Sequence, residues 1–188
     1  MNISYLFWIV CTFWIVSEIL LLVLRRSKKD SLDKDLGSIK RLNLAIYISI
    51  AAGIFISFTK YGNVHISHFV LVLAGFFLIL LGLVVRWLSI LTLHRYFTVN
   101  VAILKDHVIV QTGFYRYIRH PSYLGMLLSF LGLGLCFCNF ISIIVIFIPI
   151  AFALINRIKI EEQALNEAFG NDYQKYCKNT WRLLPGIY

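Results

Sequence analysis

The sequence predicts an all-α integral membrane protein of about five transmembrane helices, with a tight hairpin between the fourth and fifth. Three observations carry this. The 188-residue chain is 60% hydrophobic and only 14% charged, far below the charge of a soluble domain of that size. Its apolar residues come in long runs, as spanning helices need, and not in the alternating stretches of about ten that mark a membrane β-barrel. Finally, 16 of the 18 Lys and Arg fall on one side of a five-span path, as the positive-inside rule requires of cytoplasmic segments. The length suits a single membrane domain, residues 1–188.

The first apolar run covers residues 3–24 and reads as a retained span, because it lacks the basic start and small-residue cleavage site of a signal peptide. Glu18 is its only charge. An intramembrane carboxylate is a functional candidate. The plainer reading, preferred here, is a residue near the interface hydrogen-bonded to a neighbouring helix. Residues 25–41 form a loop with seven basic residues. It reads as a topology determinant and lipid-head anchor, not a binding site, and sets the N-terminus outside.

The second span covers residues 42–58, and a short outer loop with His65 and His68 follows. No third ligand lies nearby, so a metal site is not expected. The third span covers residues 69–93. Gly75 and Gly82 are seven apart on nearly one face, which suits close helix packing in lipid. Arg86 lies in this span, about two turns from its end. Either its side chain snorkels to the interface, or it is a fixed cation for an anionic substrate group. Position alone leaves both open.

Residues 94–120 return the chain to the cytoplasmic side, with extended character around Phe97 to Ile103. The fourth and fifth spans, 121–137 and 140–156, are joined by Cys138 and Asn139 alone. Pro121 suits a first helical turn. Such a hairpin must bring Arg119 and His120 to the membrane face where the chain emerges after Asn156. The emerging segment carries Arg157, Glu161 and Glu162, an apolar stripe of Ala164, Leu165, Ala168 and Phe169, and Gly170 as a C-cap. Arg157 and Glu161 are four apart, the spacing of a salt bridge on a solvated helix. The tail, residues 181–188, is aromatic and reads as interfacial.

Several function classes fall away. The net charge of +9 follows from membrane topology and favours membrane lipids as partners, not nucleic acid. The four cysteines have no zinc-finger spacing and read as small buried hydrophobes. No nucleotide loop, dinucleotide fingerprint or Ser/His/Asp set is present. The inner face gathers His107, Tyr115, Arg119, His120, Tyr123, Arg157, Glu161 and Glu162, and its aromatics with a carboxylate suit a flat, cationic, sugar-bearing ligand.

The run His107-x-x-Val110-x-x-Gly113-x-Tyr115-x-x-x-Arg119-His120-Pro121-Ser122-Tyr123, then a short hairpin, then Arg157-x-x-x-Glu161-Glu162, resembles the isoprenylcysteine carboxyl methyltransferase family. More distantly it resembles the phospholipid N-methyltransferases of the same superfamily. The resemblance covers roughly residues 82–185, and the five-span count looks like the small prokaryotic members. It departs from the eukaryotic enzymes in its shorter N-terminal half. The resemblance implies S-adenosyl-L-methionine as cofactor, in a cytoplasmic pocket built from segments 94–120 and 157–188. By match to the family's motif, the pocket would use Asn100, the strand His107, Val108, Ile109 and Val110, then Tyr115, the corner His120, Pro121, Ser122 and Tyr123, and the pair Glu161 and Glu162. Arg157 matches the family's substrate-contacting arginine, and Arg86 falls where the family has an arginine in the preceding span. The implied acceptor is lipid-like or prenylated.

A carboxylate acceptor would need no general base, only alignment and a cationic grip. An amine acceptor would have to lose a proton and would want a base, not two arginines. The alternatives are a phospholipid amine or thiol methyltransferase and, in another class, a small membrane transporter or assembly factor.

Overall fold

The computed structural model describes residues 3–24, 32–33, 37–59, 61–64, 66–97, 102–103 and 108–188. Among the described residues six α-helices make up the fold: α1 (Ile3–Leu24), α2 (Ser38–Ser57), α3 (His68–Leu93), α4 (Pro121–Cys136), α5 (Phe140–Phe169) and α6 (Asn171–Lys178). Among the described residues the only strands are β1 (Leu32–Asp33) and β2 (Ala102–Ile103), paired antiparallel with Leu32 opposite Ile103. That pair ties the predicted anchor loop to the segment after α3.

Among the described residues three helices are long and apolar enough to cross a membrane: Ser38–Ser57, His68–Tyr96 and Phe140–Phe169. Pro121–Cys136 is a shorter apolar helix, and α1 is apolar over Tyr5–Leu21. Large apolar side chains such as Phe55, Phe69, Phe77, Ile148 and Phe152 point outward, as they would against lipid.

Close packing of small residues sets the helix pairs. Gly75 and Gly82 of α3 meet Gly132 and Gly125 of antiparallel α4. A Cβ on Gly125 would lie 2.5 Å from the Gly82 carbonyl oxygen, and one on Gly75 would lie 2.6 Å from that of Gly132. Spacing of seven returns both glycines to one face, so the backbones approach at two levels. α2 packs on α5 in the same manner, with Gly53 against Ile146 and the Ser142 hydroxyl donating to the Gly53 carbonyl at 2.9 Å. Between these pairs lies a core of Phe76, Ile79, Leu83, Phe130, Leu133, Ile146, Ile150 and Leu154, with Val10, Cys11 and Trp14 of α1 added at its side.

The α4–α5 turn is as short as expected and is pinned. The Asn139 side chain accepts from the Ser142 amide at 3.0 Å, capping α5. It also donates to the Tyr61 carbonyl at 2.7 Å. The Phe140 amide donates to the Gly62 carbonyl at 2.7 Å. The loop between α2 and α3 thus holds the hairpin at the end opposite the site.

Two helix boundaries differ from expectation for one reason. α2 starts at Ser38, after Gly37 in the left-handed region (φ 71°), and takes in Lys40 and Arg41. α5 does not stop near Asn156 but runs unbroken to Phe169, where Gly170 (φ 52°) ends it as predicted. A change from apolar to polar marks a bilayer edge, whereas a helix ends only where the backbone is broken. At 1.5 Å per residue, α5 is about 45 Å long and exceeds a hydrocarbon core of about 30 Å.

Candidate active site

The hairpin brings its two stems together as the sequence requires. Tyr123, in the first turn of α4, donates its hydroxyl hydrogen to Glu161 Oε2 on α5 at 2.7 Å. The same hydroxyl accepts from Arg157 Nε at 3.0 Å. Arg157 is 2% exposed, and its Nη1 donates to the Ser38 hydroxyl at 2.7 Å. It is therefore not half of a solvated i,i+4 salt bridge, because the α2 start and the α4 corner close over it. Ser38 also corrects the reading of residues 25–41 as an anchor alone, since the end of that loop touches the site.

The two adjacent glutamates face different surroundings, as neighbours about 100° apart on a helix must. The Glu161 side chain is 31% exposed and that of Glu162 is 12% exposed. Glu162 Oε1 accepts from Arg119 Nε at 2.8 Å, and its Oε2 from Arg182 Nε at 2.8 Å. Arg119 Nη1 further donates to the carbonyls of Cys177 (3.1 Å) and Thr180. His120 is 4% exposed and stacks on Tyr123 with ring centroids 5.7 Å apart. Its Nε2 is 3.4 Å from Glu162 Oε1.

Backbone pairing closes this clasp. The Arg119 and His120 amides donate to the carbonyls of Trp181 (2.7 Å) and Arg182 (3.0 Å), and the Trp181 amide donates to the Tyr117 carbonyl at 2.9 Å. The tail is thus folded onto the corner and is more than an interfacial strip. Arg182, Thr180 and Tyr176 were missed by the sequence reading. The one available signal was Arg182 itself, a lone charge in an apolar tail.

Arg86 is buried, as is its partner Ser122, whereas Glu18 is half-buried. Nη2 donates to Glu18 Oε2 of α1 at 2.8 Å, and Nη1 donates to the Ser122 hydroxyl at 3.1 Å. Nε lies 2.7 Å from Glu18 Oε1, an ion-pair distance. The N–H is not aimed along that line, so both atoms are buried without a directed partner. Next to this pair, Trp87 Nε1 donates to the Ser17 hydroxyl at 2.6 Å. The preferred reading of Glu18, bonded to a neighbouring helix, is what the structure has, and its partner is Arg86.

The remaining predicted residues divide. Pro121 and Ser122 are buried at the start of α4. Tyr115 is buried, its carbonyl accepting from the Tyr176 hydroxyl at 2.7 Å. Burial first, and the Glu161 charge second, push its phenol well above the ordinary range, so it is neutral. Val108, Ile109 and Val110 are not in a strand. Val108 and Ile109 instead line one wall of an open groove of about 450 Å³, with Phe169 and the α6 residues Asp172, Lys175 and Tyr176 opposite. Asn100 and His107 lie outside the described residues, as does His65. Among the described residues no three His, Cys, Asp or Glu side chains are grouped to hold a metal.

The stretch that carries this corner is similar to known proteins. The family model for the isoprenylcysteine carboxyl methyltransferase (ICMT) family matches residues 72–167, from α3 through the glutamate pair. The protein-S-isoprenylcysteine O-methyltransferase of Dictyostelium discoideum is 32% identical over 183 residues, 95% of this chain and 75% of that protein. Protein-S-isoprenylcysteine O-methyltransferase A of Arabidopsis thaliana is 33% identical over 115 residues, 60% of this chain and 58% of that protein. The chain therefore spans less than two thirds of the plant relative. A solved structure of the eukaryotic intramembrane Ras methyltransferase ICMT is similar with a TM-score of 0.56 and 28% identity, over 82% of this chain and 51% of that one. With the hairpin, the proline corner and the paired glutamates all inside the matched span, the chain belongs to the isoprenylcysteine carboxyl methyltransferase family.

Proposed function

We propose that the chain is an integral-membrane methyltransferase that uses S-adenosyl-L-methionine to esterify the carboxylate of a lipid-linked, isoprenylcysteine-like acceptor. The observation that carries this reading is the Arg157–Tyr123–Glu161 chain, in which a guanidinium and a carboxylate are held apart by one phenol hydroxyl. Such an arrangement offers a negative group to a cationic cofactor and a positive group to an anionic acceptor.

The residues present fit that cofactor. Glu161 is the more open of the two acids, and its carboxylate suits ribose hydroxyls or an ammonium. The Tyr123 ring, backed by the buried His120 ring, supplies aromatic surface beside it. The pocket would use these, Tyr115, Pro121 and Ser122, with Val108, Ile109, Val110, His107 and Asn100 from the preceding segment. Glu162, whose oxygens both already accept from arginines, fits better as the clasp that fixes the corner than as a direct contact. When bound, the cofactor supplies an already activated methyl group.

The protein's own part is then alignment. Arg157 and Arg86 would hold the acceptor carboxylate through charge-assisted hydrogen bonds, and excluded water would strengthen their grip. Fixing two reactants in line is worth several kcal/mol, up to roughly 7–11 in well-oriented systems. No side chain need move a proton. We further infer a five-span path with the N-terminus outside and the site on the cytoplasmic face, since that placement puts 16 of 18 basic residues inside.

Calorimetry with S-adenosylmethionine on detergent-purified protein tests the cofactor. Transfer of labelled methyl to an S-prenylated, N-acylated cysteine, followed by mild base, tests the chemistry, because esters release methanol and methylamines do not. Arg157→Ala should abolish turnover while sparing cofactor affinity. Base-stable label would overturn the carboxylate assignment.

A further inference from the structure

We propose that Glu18 is a resident placeholder for the acceptor's carboxylate: it neutralises Arg86 while the site is empty and cedes it when the acceptor arrives. The inference rests on the functional reading above, in which Arg86 is one of the two cations that hold the acceptor.

A lone guanidinium within a span is costly, and needs a counter-charge or a route to water. Arg86, with its side chain 8% exposed, has Glu18 as that counter-charge. The carboxylate lies against the Nε–Nη2 edge, which is the edge a planar acid prefers for two-pronged recognition. The remaining nitrogen, Nη1, is occupied by Ser122. An incoming carboxylate therefore meets a guanidinium whose best edge is taken. Two carboxylates on one cation in a low-dielectric setting repel each other, so binding one means loosening the other.

The pair is also imperfect in a way that favours exchange. Only one of its two contacts is an aligned hydrogen bond. Arg86 Nε and Glu18 Oε1 lie 2.7 Å apart with the N–H not aligned between them, so a better-aligned acid would grip this edge more strongly. Glu18 has somewhere to go. Its side chain is 28% exposed, and it lies six residues, about 9 Å along the helix, from the site end of α1. The helix need not come away with it, since Val10, Cys11 and Trp14 are packed in the core and Ser17 stays bonded to Trp87. The exchange also links acceptor binding to the corner, because Ser122 and Tyr123 are neighbours and Arg86 grips the first.

The test is Glu18→Gln, which keeps shape and removes charge. With an S-prenylated, N-acylated cysteine as acceptor, the placeholder reading expects the acceptor KM to fall several-fold while the S-adenosylmethionine Kd stays as in the parent. The carboxamide counterpart of the acceptor, used as a competitive inhibitor, should bind both proteins alike, since it carries no charge for Arg86. An unchanged or raised acceptor KM, with kcat lowered, would overturn the proposal and make Glu18 a residue that merely orients Arg86. Should Glu18→Gln not fold, as read from its thermal melt, Glu18→Asp decides. It keeps the charge but shortens the reach, so a loosened placeholder lowers KM and a lost orienting contact raises it. These outcomes concern an active enzyme. A parent protein that binds no S-adenosylmethionine, or gives only base-stable product, defeats the functional reading, and the placeholder falls with it.

Discussion

Gly125→Ala tests the packing that supports the site. A Cβ at Gly125 would lie 2.5 Å from the Gly82 carbonyl oxygen, 2.8 Å from the Arg86 amide nitrogen and 3.0 Å from Arg86 Cβ. Two of these are backbone atoms, which cannot rotate away. Contact becomes favourable only near 3.5 Å, so α3 and α4 must part locally by about 1 Å. Overpacking of this kind costs about 1–3 kcal/mol. A middle value of about 2 kcal/mol corresponds to a fall of about 4–8 °C in Tm for a chain of this length. The displacement falls at Arg86, so its bond to Ser122 should lengthen and cofactor affinity should fall too. Gly132→Ala is the matched control. Its Cβ would lie 2.5 Å from the Gly75 carbonyl oxygen and 2.9 Å from the Ile79 amide nitrogen, at the end of the helices away from the site. It should lower Tm by a similar amount and leave cofactor affinity unchanged. Gly82→Ala combined with Gly125→Ala should cost less than the two added, because helices already parted accept the second methyl more easily. Thermal melts in detergent and calorimetry below the transition read both quantities. A Gly125→Ala protein that melts like the parent, or a Gly132→Ala protein that loses as much cofactor affinity, would refute the argument.

Three other outcomes follow from the geometry. Tyr123→Phe removes the hydroxyl shared by Arg157 and Glu161; bonds to charged groups are worth about 1.5–3 kcal/mol, so calorimetry should show cofactor binding weakened about tenfold or more. Arg119→Ala should free the segment after Lys178 to proteolysis far more than Arg182→Ala does, because the Arg119 side chain is 9% exposed and that of Arg182 38%; the first loss is worth about 3–5 kcal/mol and the second at most about 1 kcal/mol, and equal digestion rates would contradict this. Asn139→Ala removes the α5 cap and the tie to Tyr61; it should lower stability by about 2 kcal/mol with cofactor affinity intact, since both bonds lie at the far end of the hairpin.

The parts of the fold that the sequence made legible are those governed by short-range rules. Seven-residue glycine spacing foretold the face of α3 that meets α4. A two-residue gap between apolar runs foretold the hairpin, and with it the meeting of Tyr123 and Glu161. What escaped was pairing between distant segments. Glu18 and Arg86 are 68 residues apart and were weighed separately, although each sits about two turns before the site end of its helix. Two opposite charges at equal depth in lipid are the signal that could have joined them. The clasp around Glu162 escaped for a different reason. Arg182 lies in a tail whose aromatic composition pointed to the interface, and only the backbone bonds to residues 117–120 reveal that it folds back. The expected His107–Val110 strand is a third case: Val108 to Val110 are β-branched, but among the described residues no strand pairs with them, and Val108 and Ile109 line a groove with α6 instead.

The unbroken length of α5 bears on how such a site keeps its geometry. The apolar part, from Phe140 to about Asn156, is roughly 25 Å long and is packed against α2 and α4. The charged part beyond it belongs to the same rod, so Arg157 and Glu161 are fixed relative to the buried residues Ile146, Ile150 and Leu154. Had the helix broken at the membrane edge, these side chains would sit on a loop whose position the lipid could not define. A reaction that gains its rate from alignment needs its groups held to within about 0.5 Å, which helices provide better than loops. The corner opposite is fixed by the same means, with Pro121 starting α4 and the tail bonded to Arg119 and His120. Arg86 then differs from Arg119 and Arg182, which both pair with Glu162 on α5. Its carboxylate partner comes from α1, which adds to the bundle from the side, whereas Glu161 and Glu162 sit on a helix locked at both ends. If one charge at this site is built to yield, the physics of the fold selects Glu18.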